Sequence, residues 1–107
     1  MWRCTVCNFT MEGAMPERCP KCGAPQDKFV QLEENQVQLI TRSAKTNDLH
    51  MKLSALMDEV LVVARDGQAD DLDPGCVKVF TVAAEQATII KQMIRAEIQG
   101  HVGKAKW

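Results

Sequence analysis

Four of the five cysteines fall in two Cys-x-x-Cys pairs, Cys4-Thr5-Val6-Cys7 and Cys19-Pro20-Lys21-Cys22. This spacing constrains the fold more than any other feature. Two cysteines three apart on a tight turn can present both sulfurs to one tetrahedral ion, and a second pair completes the coordination sphere. The start Met1-Trp2-Arg3-Cys4 has no apolar leader and no small-residue cleavage site, so the expected compartment is the cytoplasm. There, paired cysteines read as metal ligands rather than disulfides. A segment of about thirty residues buries too little apolar surface to fold alone, and a bound metal supplies the missing free energy. Cys4, Cys7, Cys19 and Cys22 are therefore the expected metal ligands.

The residues beside the pairs fit this reading. Asn8 follows one pair and Gly23 the other, and both types tolerate the left-handed backbone that such a turn requires. That geometry aims backbone N–H groups at the thiolates. Gly13 and Pro16 suit the turn between the two halves. Trp2, Phe9 and Phe29 are three of only five aromatic residues, and they can cover the sulfurs or simply form a small core.

The runs Trp2 to Phe9, Glu12-Gly13, Pro16 to Pro25 and Lys28-Phe29 resemble the rubredoxin-like domain found in rubrerythrins, whose gap between cysteine pairs is equally short. The one departure is Asn8, where that family usually has glycine. The rest of the chain is similar to small bacterial proteins known only for a rubredoxin-like domain. The resemblance implies one iron ion held by four cysteines and cycling between Fe2+ and Fe3+. Zinc ribbons also use paired cysteines, so zinc is the alternative, as a native structural ion or as a substitute in recombinant protein. The aromatic residues and the specific motif favour iron.

The composition excludes other classes. About 25% of the residues are charged, 46% are hydrophobic and the formal net charge is -1, which suggests neither nucleic-acid nor membrane binding. No apolar run approaches the roughly 18 residues that cross a bilayer. The charge is nevertheless segregated: residues 46–75 sum to -5 and residues 76–107 to +3.

From Gln26 to Asp66 there is neither proline nor glycine. Residues 31–45 read as a connector able to form a short helix at about 33–44, which either continues into the next helix or gives way to a new one capped by Thr46 or Asn47. Leu49, Leu53, Leu56, Val60 and Val63 then alternate in steps of four and three, the stripe of an amphipathic helix that Gly67 is expected to end. Asp73 before Pro74 predicts an N-cap and a second long helix, with Gly100 as its stop. The predicted fold class is a rubredoxin-like or zinc-ribbon-like β module over residues 1–30, followed by an all-α helical hairpin or bundle over residues 46–107. The second helix is apolar on more than one side, which predicts a homo-oligomer, a dimer above all, with 46–107 as the assembly element; the alternative is a monomeric three-helix bundle in which the connector helix covers the second stripe.

A di-iron centre in the bundle is not expected. Such sites use Glu-x-x-His pairs, and the sequence has none; Glu97 and His101 are four apart with Gly100 between them. His101 is read as a surface residue, His50 as structural or solvated, Cys76 as a buried inert thiol, and the tail with Lys104, Lys106 and Trp107 as a frayed or locally packed end. Two functions remain: a one-electron carrier or redox adaptor with an unidentified redox partner, or a zinc-stabilised interaction module. An ordinary enzyme is not expected, since four protein thiolates leave no coordination position for a substrate.

Overall fold

A computed structural model describes residues 1–107. The elements in chain order are β1 (Trp2–Cys4), β2 (Thr10–Met11), a 3-10 turn (Gln26–Lys28), β3 (Phe29–Gln31), α1 (Glu34–Asp70) and α2 (Pro74–Gly103). The chain divides into two compact units, Met1–Thr41 and Arg42–Trp107, with the division inside α1. No helix is long and apolar enough to cross a membrane.

In the first unit the strands form an antiparallel sheet in the order β2-β1-β3. Trp2 lies opposite Met11 on one side and Gln31 on the other, and Cys4 lies opposite Phe29. Such short strands bury little by themselves. Their core is Cys4, Cys19 and Phe29, against which Trp2, Cys7, Phe9, Met15 and Ala24 pack. Two of the cysteines are thus the centre of this unit's apolar core. The indole Nε1 of Trp2 donates to the Gly13 carbonyl at 3.2 Å, and Gly13 has a φ of +86°, which allows the tight return between β2 and the second cysteine pair.

Of the two readings of the connector, the continuous one is realised: α1 runs through Thr46 and Asn47 with no new cap. Without proline or glycine between Gln26 and Asp66 nothing interrupts the backbone ladder. Asn47 is buried inside the second unit instead of capping a helix. Its Nδ2 donates to the Lys106 carbonyl at 2.8 Å, and its Oδ1 lies 2.5 Å from His101 Nδ1. Because the amide nitrogen is already donating, Nδ1 is the protonated nitrogen of that imidazole. At its start α1 has half of a capping box: the Glu33 N–H donates to Gln36 Oε1 at 3.2 Å.

Gly67 does not end α1. The helix runs three residues further, and Asp71, with a φ of 50°, takes the left-handed position after it. Gly67 is a packing residue: a Cβ there would run into the ring of Phe80 on α2. Asp73 and Pro74 behave as predicted. The Asp73 carboxylate accepts from the Cys76 N–H at 2.8 Å, and Pro74 opens the helix. That bond and the Cys76 thiol hold the Asp73 carboxyl below the usual carboxylate range.

α1 and α2 run antiparallel within the second unit. Gly67 meets Phe80, Gln68 donates to Thr81 at 3.0 Å, Asp58 pairs with Lys91, and the His50 and His101 rings meet edge to face. Gly100 does not stop α2, which reaches Gly103. The helix closes as a Schellman motif, with the Lys106 N–H on the His101 carbonyl at 2.8 Å and the Ala105 N–H on the Val102 carbonyl at 3.1 Å. The terminus is therefore locally packed. Ala105 holds the left-handed position at a φ of 56°, where a Cβ is disfavoured. Ala105→Gly should stabilise the helical unit by about 1 kcal/mol. Thermal melting followed at 222 nm should show a rise of a few degrees; an unchanged or lower midpoint would mean that the motif is not formed.

Candidate metal centre

The two cysteine pairs adopt the same local structure. In the first, the Cys4 N–H donates to the Phe9 carbonyl at 2.8 Å and the Asn8 N–H donates back to the Cys4 carbonyl at 2.9 Å. In the second, the Cys19 N–H donates to the Ala24 carbonyl at 2.8 Å and the Gly23 N–H to the Cys19 carbonyl at 2.8 Å. Each turn closes through a residue in the left-handed region, Asn8 at a φ of 62° and Gly23 at 74°. Residue types that accept that conformation are what the sequence supplies at both positions. The first turn continues directly from β1, and the second is held by the bridge between Arg18 and Pro25.

The folds of these turns bring all four Sγ atoms within 4.8 Å of one another. The approaches cross between the turns: Cys4 to Cys22 is 3.7 Å and Cys7 to Cys19 is 3.6 Å. A tetrahedral ion with metal–sulfur bonds of about 2.3 Å needs sulfur–sulfur edges of about 3.8 Å. The four thiols can therefore hold a metal ion with little movement. In this chain no other His, Cys, Asp and Glu side chains gather into a group of three able to do so.

The electrostatics point the same way. Burial opposes ionisation of Cys19, but the backbone N–H groups of Cys22 and Lys21, helped by the Cys22 and Cys7 side chains, bring its thiol down to about 7. For Cys22 the Ala24 N–H favours the thiolate, yet desolvation and the neighbouring sulfurs of Cys7, Cys19 and Cys4 push it up to about 12. One thiolate forms readily and suppresses another, as expected for like charges sharing one small site. A cation at the centre removes that conflict, and acid, by reprotonating sulfur, works against it.

Residues 2–30 match the family model described as Rubrerythrin, rubredoxin-like domain. The match covers little more than a quarter of the chain and includes all four cysteines of the cluster. No curated protein and no solved structure matches the chain. The rubredoxin-like module is followed by helices that this match does not cover.

Within the module the exposure of the sulfurs is uneven. Cys4 and Cys19, the first of each pair, are buried; Cys7 is half-buried and Cys22 exposed. The exposed edge lies beside Val6, which is itself exposed, and beside Lys21, whose Nζ donates to the Cys7 carbonyl at 3.4 Å. Trp2, Phe9 and Phe29 pack with the cysteines in the core, as the sequence suggested.

Outside the module several sequence expectations need correction. Cys76 is half-buried rather than buried, and its thiol lies 3.4 Å from Asp73 Oδ2 in the first turn of α2. His101 is buried rather than at the surface. Because α2 continues past Gly100, Glu97 and His101 stand one turn apart, with Oε1 and Nε2 separated by 3.5 Å. Sequence reasoning missed the Asn47–His101–Lys106 network altogether. An asparagine within a helical stretch and a histidine 54 positions away carry no local signal of their pairing.

Proposed function

We propose that Cys4, Cys7, Cys19 and Cys22 bind one iron ion and that the protein is a one-electron carrier or redox adaptor rather than an ordinary enzyme. The observation that carries this reading is the gathering of four sulfurs within 4.8 Å of one another on two equivalent turns, in a segment that matches the rubredoxin-like domain. Iron in a four-thiolate site supplies a one-electron change between Fe2+ and Fe3+.

The chain's own residues suit that task. Backbone N–H groups of Lys21, Cys22 and Ala24 stabilise thiolate charge without any change of protonation. Four protein ligands fill a tetrahedron and leave no open position for a substrate. Trp2, Phe9 and Phe29 cover the buried side and restrict water. The exposed edge at Cys7 and Cys22 is the short route for an electron to or from a redox partner, with Val6 and Lys21 as the adjacent contact surface.

Native protein isolated without oxygen should contain about one iron per chain. It should turn red on oxidation through sulfur-to-iron charge transfer and bleach on reduction, reversibly. Stoichiometric zinc in native protein, with no reversible one-electron couple, would overturn the carrier reading and leave a structural ion in its place.

A further inference from the structure

We propose that the helical unit pairs with a second copy of this chain, antiparallel, so that two hairpins form a four-helix bundle. The proposal does not rest on the identity of the metal, since the residues that carry it all lie in the second unit.

Two packed helices leave this unit without enough of a core. Only Ala64, Ala87 and Ile94 among its apolar side chains are buried. Leu49, Leu53, Leu56 and Val63 on α1, with Val79 and Met93 on α2, are between 40% and 65% exposed. Their spacing places them on one side of the hairpin. There the two helices together line a groove, with Leu56 and Val63 facing Val79 near the turn and Leu53 facing Met93 further along. Glu59, His50 and Glu97 also line that groove, which is otherwise apolar; on the opposite side Leu61, Ala84 and Ile89 are interrupted by Arg65, Glu85 and Thr88. One apolar face therefore needs a second layer.

Charge identifies what covers it. Asp58 and Lys91 pair near the middle of the hairpin. From residue 58 to 90, the turn end holds seven acids and two bases. Residues 42–57 and 91–107, the open end, hold seven bases and two acids. The hairpin is thus acidic at one end and basic at the other, in equal measure. A second copy laid face to face and antiparallel sets each acidic end against a basic end, and a parallel copy sets like against like. The chain is complementary to itself in one orientation, which a twofold axis near the level of Asp58 and Lys91 satisfies.

The axis makes a geometric prediction. Lys78 is thirteen residues from Lys91 toward the turn, and Lys104 is thirteen residues from it toward the open end. Along one helix they are separated by about 40 Å, beyond the reach of a short amine-reactive linker. In the antiparallel pair, Lys78 of one copy lies level with Lys104 of the other. Light scattering on the full chain should give about twice the 11.9 kDa chain mass. Cross-linking of the unmodified protein should yield Lys78–Lys104 links and lack Lys78–Lys78 links. The double substitution Leu56→Glu and Val63→Glu should halve the mass; a folded double variant that stays dimeric would overturn the assigned face. Should that variant unfold by circular dichroism, the links in the unmodified chain still decide. A monomeric full chain overturns the proposal and leaves the face to a different protein. A dimer with Lys78–Lys78 links and no Lys78–Lys104 links also overturns it.

Discussion

Replacing Cys19 by Ser should remove the metal and the order of residues 1–30 together. Cys19 is 3% exposed and sits in the same small core as Cys4 and Phe29. The substitution takes away one soft thiolate and leaves a poorly matched hydroxyl. It also breaks the approach to Cys7 Sγ at 3.6 Å. Structural zinc in zinc-finger peptides of similar size contributes an apparent folding free energy of about 10–16 kcal/mol at neutral pH, and a loss on that scale is far more than a three-strand sheet of eight residues can replace. Metal content should fall from about one ion per chain to a small fraction of that. The visible colour expected of iron should vanish with it. The helices should remain, because their core of Ala64, Ala87 and Ile94 is separate from the cysteines, so circular dichroism at 222 nm should keep most of its amplitude. Cys76→Ser is the control and should leave metal content unchanged, since Cys76 stands outside the cluster. Collapse of the helical signal in Cys19→Ser would show that the two units share one folding transition. Loss of metal in Cys76→Ser would show that the ligand set is wrong.

The second large effect is expected at Gly67, with a sign opposite to the usual rule. Glycine inside a helix ordinarily costs about 1 kcal/mol relative to alanine, so Gly→Ala should stabilise. Here the added Cβ runs into the Phe80 ring, and the nearest atoms include the ring's own Cγ, which a small tilt does not move away. Overpacking of this kind costs about 1–3 kcal/mol. Gly67→Ala should therefore lower the melting midpoint of the helical unit by several degrees at a fixed protein concentration. In a Phe80→Leu background the same substitution should be neutral or stabilising. A higher midpoint for Gly67→Ala alone would mean that α1 and α2 do not approach at this position.

The candidate metal centre was legible because its information is local. Each Cys-x-x-Cys pair sets its own turn, and Asn8 and Gly23 stand where the left-handed backbone is needed. The sulfur cluster then follows from bringing two such turns together. The start of α2 was legible for the same reason: Asp73 and Pro74 act on atoms within three residues of themselves. The stripe Leu49, Leu53, Leu56, Val60, Val63 also marks a helix from its period alone.

Glycines misled where their neighbours in space, not in sequence, set their role. Gly67 and Gly100 both read as helix stops, yet α1 ends at Asp70 and α2 at Gly103. A glycine is cheap wherever a Cβ would collide, and Phe80 supplies that collision at Gly67 only once the hairpin has closed. The left-handed positions that do end the helices fell to Asp71 and Ala105, residues with weak local preference that accept the strain because the chain beyond them is held. Lys106 is held by Asn47 from the other helix. Nearest-neighbour chemistry, ligand spacing and apolar period are properties of a few consecutive residues, so the sequence by itself determined the cysteine turns, the helical stripes and the Asp73 cap. Where the helices stop, why Gly67 must be glycine, and why Asn47 and His101 are buried depend on contacts between residues 13 to 59 positions apart. Only the tertiary structure could decide those, because a contact between distant segments has no energy until the chain has closed the loop between them.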